Sequence, residues 1–100
     1  MNRNILKQAQ EMQNKLARAQ EELANLTVEG SSGGGAVKIV MTGQQHVQSV
    51  KIAPEAVDPK EVELLEDMIL AALNDAQQKS QDMAQKKLSS IAGMKIPGLM

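Results

Sequence analysis

The sequence predicts an α+β fold in the order helix, three-stranded antiparallel meander, helix. Two observations carry most of this. Apolar residues recur at helical spacing on both flanks of the chain, whereas they alternate at a two-residue period in its middle. That middle is punctuated by a glycine triplet, Gly33-Gly34-Gly35, and closed by Pro54, which suits strands joined by tight turns.

On the first flank, Ile5, Ala9, Met12, Leu16, Ala19, Leu23 and Leu26 follow alternating steps of four and three residues. This heptad seam predicts a helix over Ile5–Leu26 with a narrow helix–helix contact rather than a broad buried face. Asn2 or Asn4 can cap it, because an amide oxygen accepts an orphan N–H of the first turn.

Leu26 to Glu29 alternates and opens a strand that ends at Gly30-Ser31-Ser32. The glycine triplet then supplies the positive backbone angles of a reversal. A phosphate cradle would need a lysine and a Ser/Thr at fixed spacing with a helix directly after it, and a strand follows here instead. That strand, Ala36–Thr42, places Val37, Ile39 and Met41 on one face. Gly43-Gln44-Gln45 turns the chain again. In the third strand, His46–Ile52, Val50 and Ile52 share a face and Val47 is out of phase, which fits either a bulge or a two-sided interface. Pro54 lacks an N–H and ends the ladder.

The second helix opens on Asp58 as cap, Pro59 at the first helical position and Glu61 completing a capping-box-like arrangement. Val62, Leu65, Met68, Ile69, Ala72, Leu73 and Ala76 form a stripe wide enough to pack on both the sheet and the first helix. The stripe thins to Met83, Ala84, Leu88 and Ile91, and Gly93 stops the helix. The reading is one α-β-β-β-α domain over 1–92, with 93–100 as a flexible tail.

Composition excludes several function classes. The 100 residues include no Phe, Tyr, Trp or Cys. Base-stacking platforms, disulfides and thiolate metal sites are therefore absent. The single histidine, His46, has no second histidine or cysteine with which to share a metal, and no serine sits in a base motif. The expectation is a non-enzymatic protein with no cofactor, no metal and no small-molecule substrate. The N-terminus lacks the apolar core of a secretory signal, and no run is long enough to span a bilayer, so the expected location is cytoplasmic, without membrane contact.

The net charge of −1 conceals segregation. Residues 1–20 carry Arg3, Lys7, Lys15 and Arg18 against Glu11, a net +3; 21–76 hold a net −7; and 77–100 carry Lys79, Lys86, Lys87 and Lys95 against Asp82, again +3. On the first helix this order opposes the macrodipole, which favours acids at the start and bases at the end. If the two helices lie antiparallel with Leu26 and Asp58 at the sheet end, Arg3, Lys7, Lys86, Lys87 and Lys95 meet in one basic tip. A second copy paired through the sheets, on Val37, Ile39, Met41, Val47, Val50 and Ile52, would complete a core and hold two tips apart. Such tips suit a polyanion, with Arg3, Lys7, Lys15, Arg18, Lys79, Lys86, Lys87 and Lys95 as the candidate DNA contacts, and without aromatic side chains double-stranded DNA bound through its backbone fits better than a single strand. The rival reading is a helical adaptor or chaperone-like module, with Met12, Met83 and Met94 adapting to another protein's surface. RNA is a further option.

GGGAVKIVMTG (Gly33–Gly43), VQSVKI (Val47–Ile52), LLEDMILAALNDAQQK (Leu64–Lys79) and IPGLM (Ile96–Met100), taken in this order and spacing, resemble the YbaB/EbfC family of bacterial nucleoid-associated proteins across essentially the whole chain. The resemblance implies a dimer joined through its sheets, helices extended like tweezers, arms that carry the DNA contacts, and a place in the nucleoid. Gln44-Gln45 departs from the short turn common in relatives, which concerns the hairpin alone.

Overall fold

The computed structural model describes residues 3–93. In chain order it contains α1 (Arg3–Asn25), β1 (Thr27–Ser32), β2 (Val37–Thr42), β3 (Val47–Ile52) and α2 (Val62–Gly93), with short 3-10 turns at Gly33–Gly35 and Pro54–Ala56. The strands form one antiparallel sheet in the order β1-β2-β3, as the alternation predicts. Gly33, Gly34 and Gly35 all have positive φ, at 60°, 67° and 96°. Three successive side chains would be strained there, which is why the reversal is built of glycine.

The register assigns the faces. Val37, Ile39 and Met41 pair with Ser32, Gly30 and Val28 on one side and with Ile52, Val50 and Val47 on the other. Between β2 and β3, Val40 pairs with Ser49 but Met41 with Val47, so Gln48 is the extra residue of a bulge. The bulge brings Val47 into phase with Val50 and Ile52 and decides between the two options left by its spacing.

α2 lies over β1 and β2 on this face. Val37, Ile39, Met41, Ala72 and Ala76 form the buried cluster, with Val28, Leu65, Met68, Ile69 and Leu73 packed against it. The closest approach is at Gly30, where a Cβ would stand 2.3 Å from the Ala76 nitrogen and 2.4 Å from the Ala72 carbonyl oxygen. The helix backbone rests on the strand backbone, which only glycine on one side and alanine on the other permit.

α1 is held by the β2–β3 turn. The Gly43 N–H donates to the carbonyls of Leu23 (2.9 Å) and Leu26 (3.0 Å), and the Gln44 amide donates to the Gln20 carbonyl at 2.9 Å. The first of these occupies one of the last four carbonyls of α1, which a helix C-terminus leaves without intrahelical donors. The buried Ser80 hydroxyl donates to the Thr42 carbonyl at 2.8 Å, tying α2 to the same turn.

Three expectations change. α2 starts at Val62 rather than at Pro59, because Asp58 closes a separate turn: its carboxylate accepts the Lys60 N–H and its carbonyl the Glu61 N–H, both at 2.9 Å. Leu26 and Asp58 stand at opposite ends of the sheet, since Leu26 adjoins Gly43 while Asp58 follows the end where Ala53 bonds Ala36. α2 therefore crosses the sheet first, and only its distal part runs beside α1. Finally, of the seven seam positions only Ala19 and Leu23 are buried; Met12 is half-buried, and Ile5, Ala9, Leu16 and Leu26 are exposed.

The two sheet edges differ. At β1 the Ser31 N–H donates to the Asp75 carboxylate (3.0 Å), Lys79 Nζ donates to the Glu29 carbonyl (3.0 Å), and the Ser32 hydroxyl donates to the Met68 carbonyl (2.5 Å). Lys79 also pairs with Asp75 at 3.2 Å. Side chains of α2 thus occupy the groups a further strand would need. Among the described residues, no side chain bonds the backbone of β3. The Ser31 N–H, and after it the Lys79 ammonium, hold the Asp75 carboxyl below the usual aspartate range.

Gly30→Ala is expected to lower unfolding free energy by about 3 kcal/mol, measured by urea denaturation. In an open strand the same change would stabilise slightly, so the sign of the effect tests the contact. Asp75, with its folded-state pKa depressed, contributes stability that is present above the unfolded value of about 3.9 and is lost as pH falls through the lower folded value. Thermal melts from pH 6 downward should show a steeper acid loss for the unsubstituted chain than for Asp75→Asn, which keeps an acceptor for Ser31 but does not titrate.

Candidate functional site

Helix geometry sorts the charged side chains. At about 100° per residue, Arg3, Lys7 and Arg18 fall within a sector of roughly 60° on α1, with Lys15 within about 60° more. This sector lies on the far side from Ala19 and Leu23, the buried side of the helix. All four cations are exposed, and from Arg3 to Arg18 they extend along about 22 Å of helix. Among the described residues, ion pairs join Lys79 to Asp75 and Lys87 to Glu22, and none involves these four cations.

The cations of α2 are placed differently. Lys79 is engaged at the β1 edge by Asp75 and the Glu29 carbonyl, so it serves the fold. Lys87 pairs with Glu22 at 3.2 Å and has only 28% of its side chain exposed. Lys86 is exposed and forms no ion pair among the described residues. Lys95 lies outside the described residues, as do Asn2 and Met94.

The pair Lys87–Glu22 also fixes the relative level of the helices. α1 continues from Glu22 back to Arg3 for about 28 Å, whereas α2 continues from Lys87 to Gly93 for about 9 Å. Arg3 and Lys87 are therefore not neighbours, and among the described residues the cations of the two chain ends do not meet in a single basic tip. In its place, α1 alone projects past the described end of α2 and carries Arg3 and Lys7 on its overhang. The molecule is correspondingly elongated, with extents of 70 × 26 × 16 Å.

The six residues assigned to a sheet interface divide in the same way. Val37, Ile39 and Met41 are 0%, 1% and 3% exposed in the single chain, because α2 already covers them. They are core residues and leave no surface for a second copy. Val47, Val50 and Ile52 share their face beyond the cover of α2 and remain 49%, 49% and 36% exposed. Sequence periodicity finds the shared face but not the edge at which the helix stops covering it.

His46 is exposed, beside the β2–β3 turn, where its N–H and that of Gln44 each donate to the Thr42 hydroxyl at 3.2 Å. Among the described residues, no three His, Cys, Asp or Glu side chains gather in a metal-binding group. No helix there is long and apolar enough to cross a membrane.

Comparison with known proteins adds to this geometry. The family model described as the YbaB/EbfC DNA-binding family matches residues 1–95. A nucleoid-associated protein of Pelotomaculum thermopropionicum is 52% identical over 96 residues, covering 95% of this chain and 91% of that protein. A nucleoid-associated protein of Syntrophobacter fumaroxidans is 50% identical, covering 96% of this chain and 88% of its own length. A crystal structure of an uncharacterised Helicobacter pylori protein shares the fold, with a TM-score of 0.81 at 17% identity, over 93% of this chain and 99% of that one.

Proposed function

This chain belongs to the YbaB/EbfC DNA-binding family, and from that premise we propose that it binds double-stranded DNA chiefly through the phosphate backbone, with low sequence specificity. The observation that carries this reading is the face of Arg3, Lys7, Lys15 and Arg18 on the projecting α1, exposed and without ion-pair partners among the described residues. Cations spaced along a helix neutralise phosphates and release counterions, which gives affinity without base readout. With no aromatic side chain in the protein, stacking on unpaired bases contributes nothing. The relatives' description as nucleoid-associated supports a site of action in the bacterial nucleoid; an influence on its organisation and on gene expression is part of the same proposal.

The same reading includes a homodimer joined at β3. The β1 edge is filled by Asp75 and Lys79, so strand addition is available only at β3, where Val47, Val50 and Ile52 would be covered by the partner. A six-stranded sheet would then hold two α1 arms at a fixed separation and let both engage one duplex, which raises affinity without new contacts.

Lys7→Ala, Lys15→Ala and Arg18→Ala combined should weaken duplex binding at least tenfold at low salt, in mobility-shift titrations. The slope of log affinity against log salt should fall by up to about three, near 0.9 per lost phosphate contact. Duplexes of unrelated sequence should bind within a few-fold of one another, and competing RNA duplex or single strands less well. An unchanged slope would remove α1 from the interface. Val50→Lys places a charge on the exposed β3 row and should convert dimer to monomer in analytical ultracentrifugation; a variant that stays dimeric would move the interface elsewhere.

A further inference from the structure

The face of the sheet turned away from α2 has its own charge pattern. By register and alternation it carries Thr27, Glu29 and Ser31 from β1, Lys38 and Val40 from β2, and Ser49 and Lys51 from β3. Lys38 and Lys51 are direct partners across the β2–β3 ladder, and both are exposed. Direct cross-strand partners hold their Cβ atoms about 5 Å apart, and like charges in that position repel. Neither lysine joins an ion pair among the described residues. The acid on the same face, Glu29, is paired with Val40 one row away, diagonal to Lys38 and unpaired with it. His46 stands at the other end of β3, beyond the bulge.

Two ammonium groups on adjacent strands with no counter-charge between them form a site for one shared anion. Ser31, the cross-strand partner of Lys38 on its other side, completes a Ser31–Lys38–Lys51 row with a hydroxyl able to donate to the same group. The row is flat, open and free of aromatic side chains, which suits a phosphodiester on the outside of a duplex better than a base or an enclosed small molecule. We infer that the open face of the sheet is a second DNA-contacting surface, where Lys38 and Lys51 together hold a backbone phosphate. It lies apart from the cationic face of α1, so one protein would engage DNA at two separated places. This inference rests on the proposed DNA binding and adds a location that the segregation of charge toward the chain ends does not suggest.

The test uses the full chain with Lys38→Gln/Lys51→Gln, both exposed positions, beside the triple α1 variant described above. Duplex DNA is titrated at several salt concentrations, with inorganic phosphate as a separate arm. The sheet variant should bind duplex about five- to tenfold more weakly, with a salt slope smaller by about one, for the single phosphate the pair holds. Lys38→Arg/Lys51→Arg should restore both values. In NMR titrations, the Lys38 and Lys51 amide resonances should move with duplex at concentrations where inorganic phosphate leaves them unmoved. Without DNA, the sheet variant should melt no lower than the unsubstituted chain, because a repulsion has been removed. Unchanged affinity and slope in the sheet variant, with loss in the α1 variant, would overturn the sheet site and leave DNA binding standing. No change in either variant would overturn both. Equal shifts with inorganic phosphate would reduce the pair to a general anion site and overturn the DNA assignment.

Discussion

The contact on which the rest of this structure depends is the one at Gly30, where the backbone of α2 between Ala72 and Ala76 lies directly on β1. Burying apolar side chains does not by itself require so close an approach. Here the approach sets the reach of every other contact from that helix. With its axis this near the strand, short side chains suffice: Ser32 reaches Met68, Asp75 reaches the Ser31 N–H, and Ser80 reaches Thr42. A bulkier residue at Gly30 would lift α2 and loosen all of them together, because they lie along a single rigid helix.

That seating has an asymmetric consequence. α2 lies over β1 and β2, fills the outer edge of β1 with polar side chains, and leaves β3 uncovered on its apolar face and open along its edge. The protomer's buried hydrophobic set is small, and three of its members, Ala19, Ala72 and Ala76, are alanines. A chain of 100 residues without aromatic side chains has few other means of enlarging its core, and the proposed second copy at β3 would supply one. The Gln48 bulge belongs to the same arrangement. It turns Val47 to the face of Val50 and Ile52 and makes one continuous apolar row from what the sequence presents as a broken one.

The order of elements is legible because each period is: steps of four and three in α1, alternation in β2, and a wide stripe in α2. Gly33–Gly35 announces its turn because three consecutive glycines have few other uses. What the sequence leaves hidden is long-range. Asp58, Pro59 and Glu61 satisfy the rules of a helix start, yet Asp58 spends its carboxylate on Lys60 and delays the helix to Val62. The seam of α1 is regular through Leu26, but regularity does not say how far a neighbouring helix extends, and Ile5, Ala9 and Leu16 stay exposed. The pairing of Lys38 with Lys51 is a matter of register, which no local pattern discloses.

The charge order of α1 shows how far the fold alone explains the sequence. Acids near its C-terminal end oppose the helix dipole, but Glu22 is matched by Lys87 across the helix pair, and that interaction offsets the unfavourable position. The acidic half of the reversal therefore has a structural reason. The basic half has none among the described residues: Arg3, Lys7, Lys15 and Arg18 repel one another and, toward the N-terminus, the dipole, with no ion pair in return. For a charge in the first turn, as Arg3 is, that cost is about 0.3–1 kcal/mol at low ionic strength. An external polyanion reverses the sign of that term, because the dipole's positive end and the four cations then act on it together. The proposed contact with DNA along this face would account for the part of the charge order that intramolecular pairing leaves over.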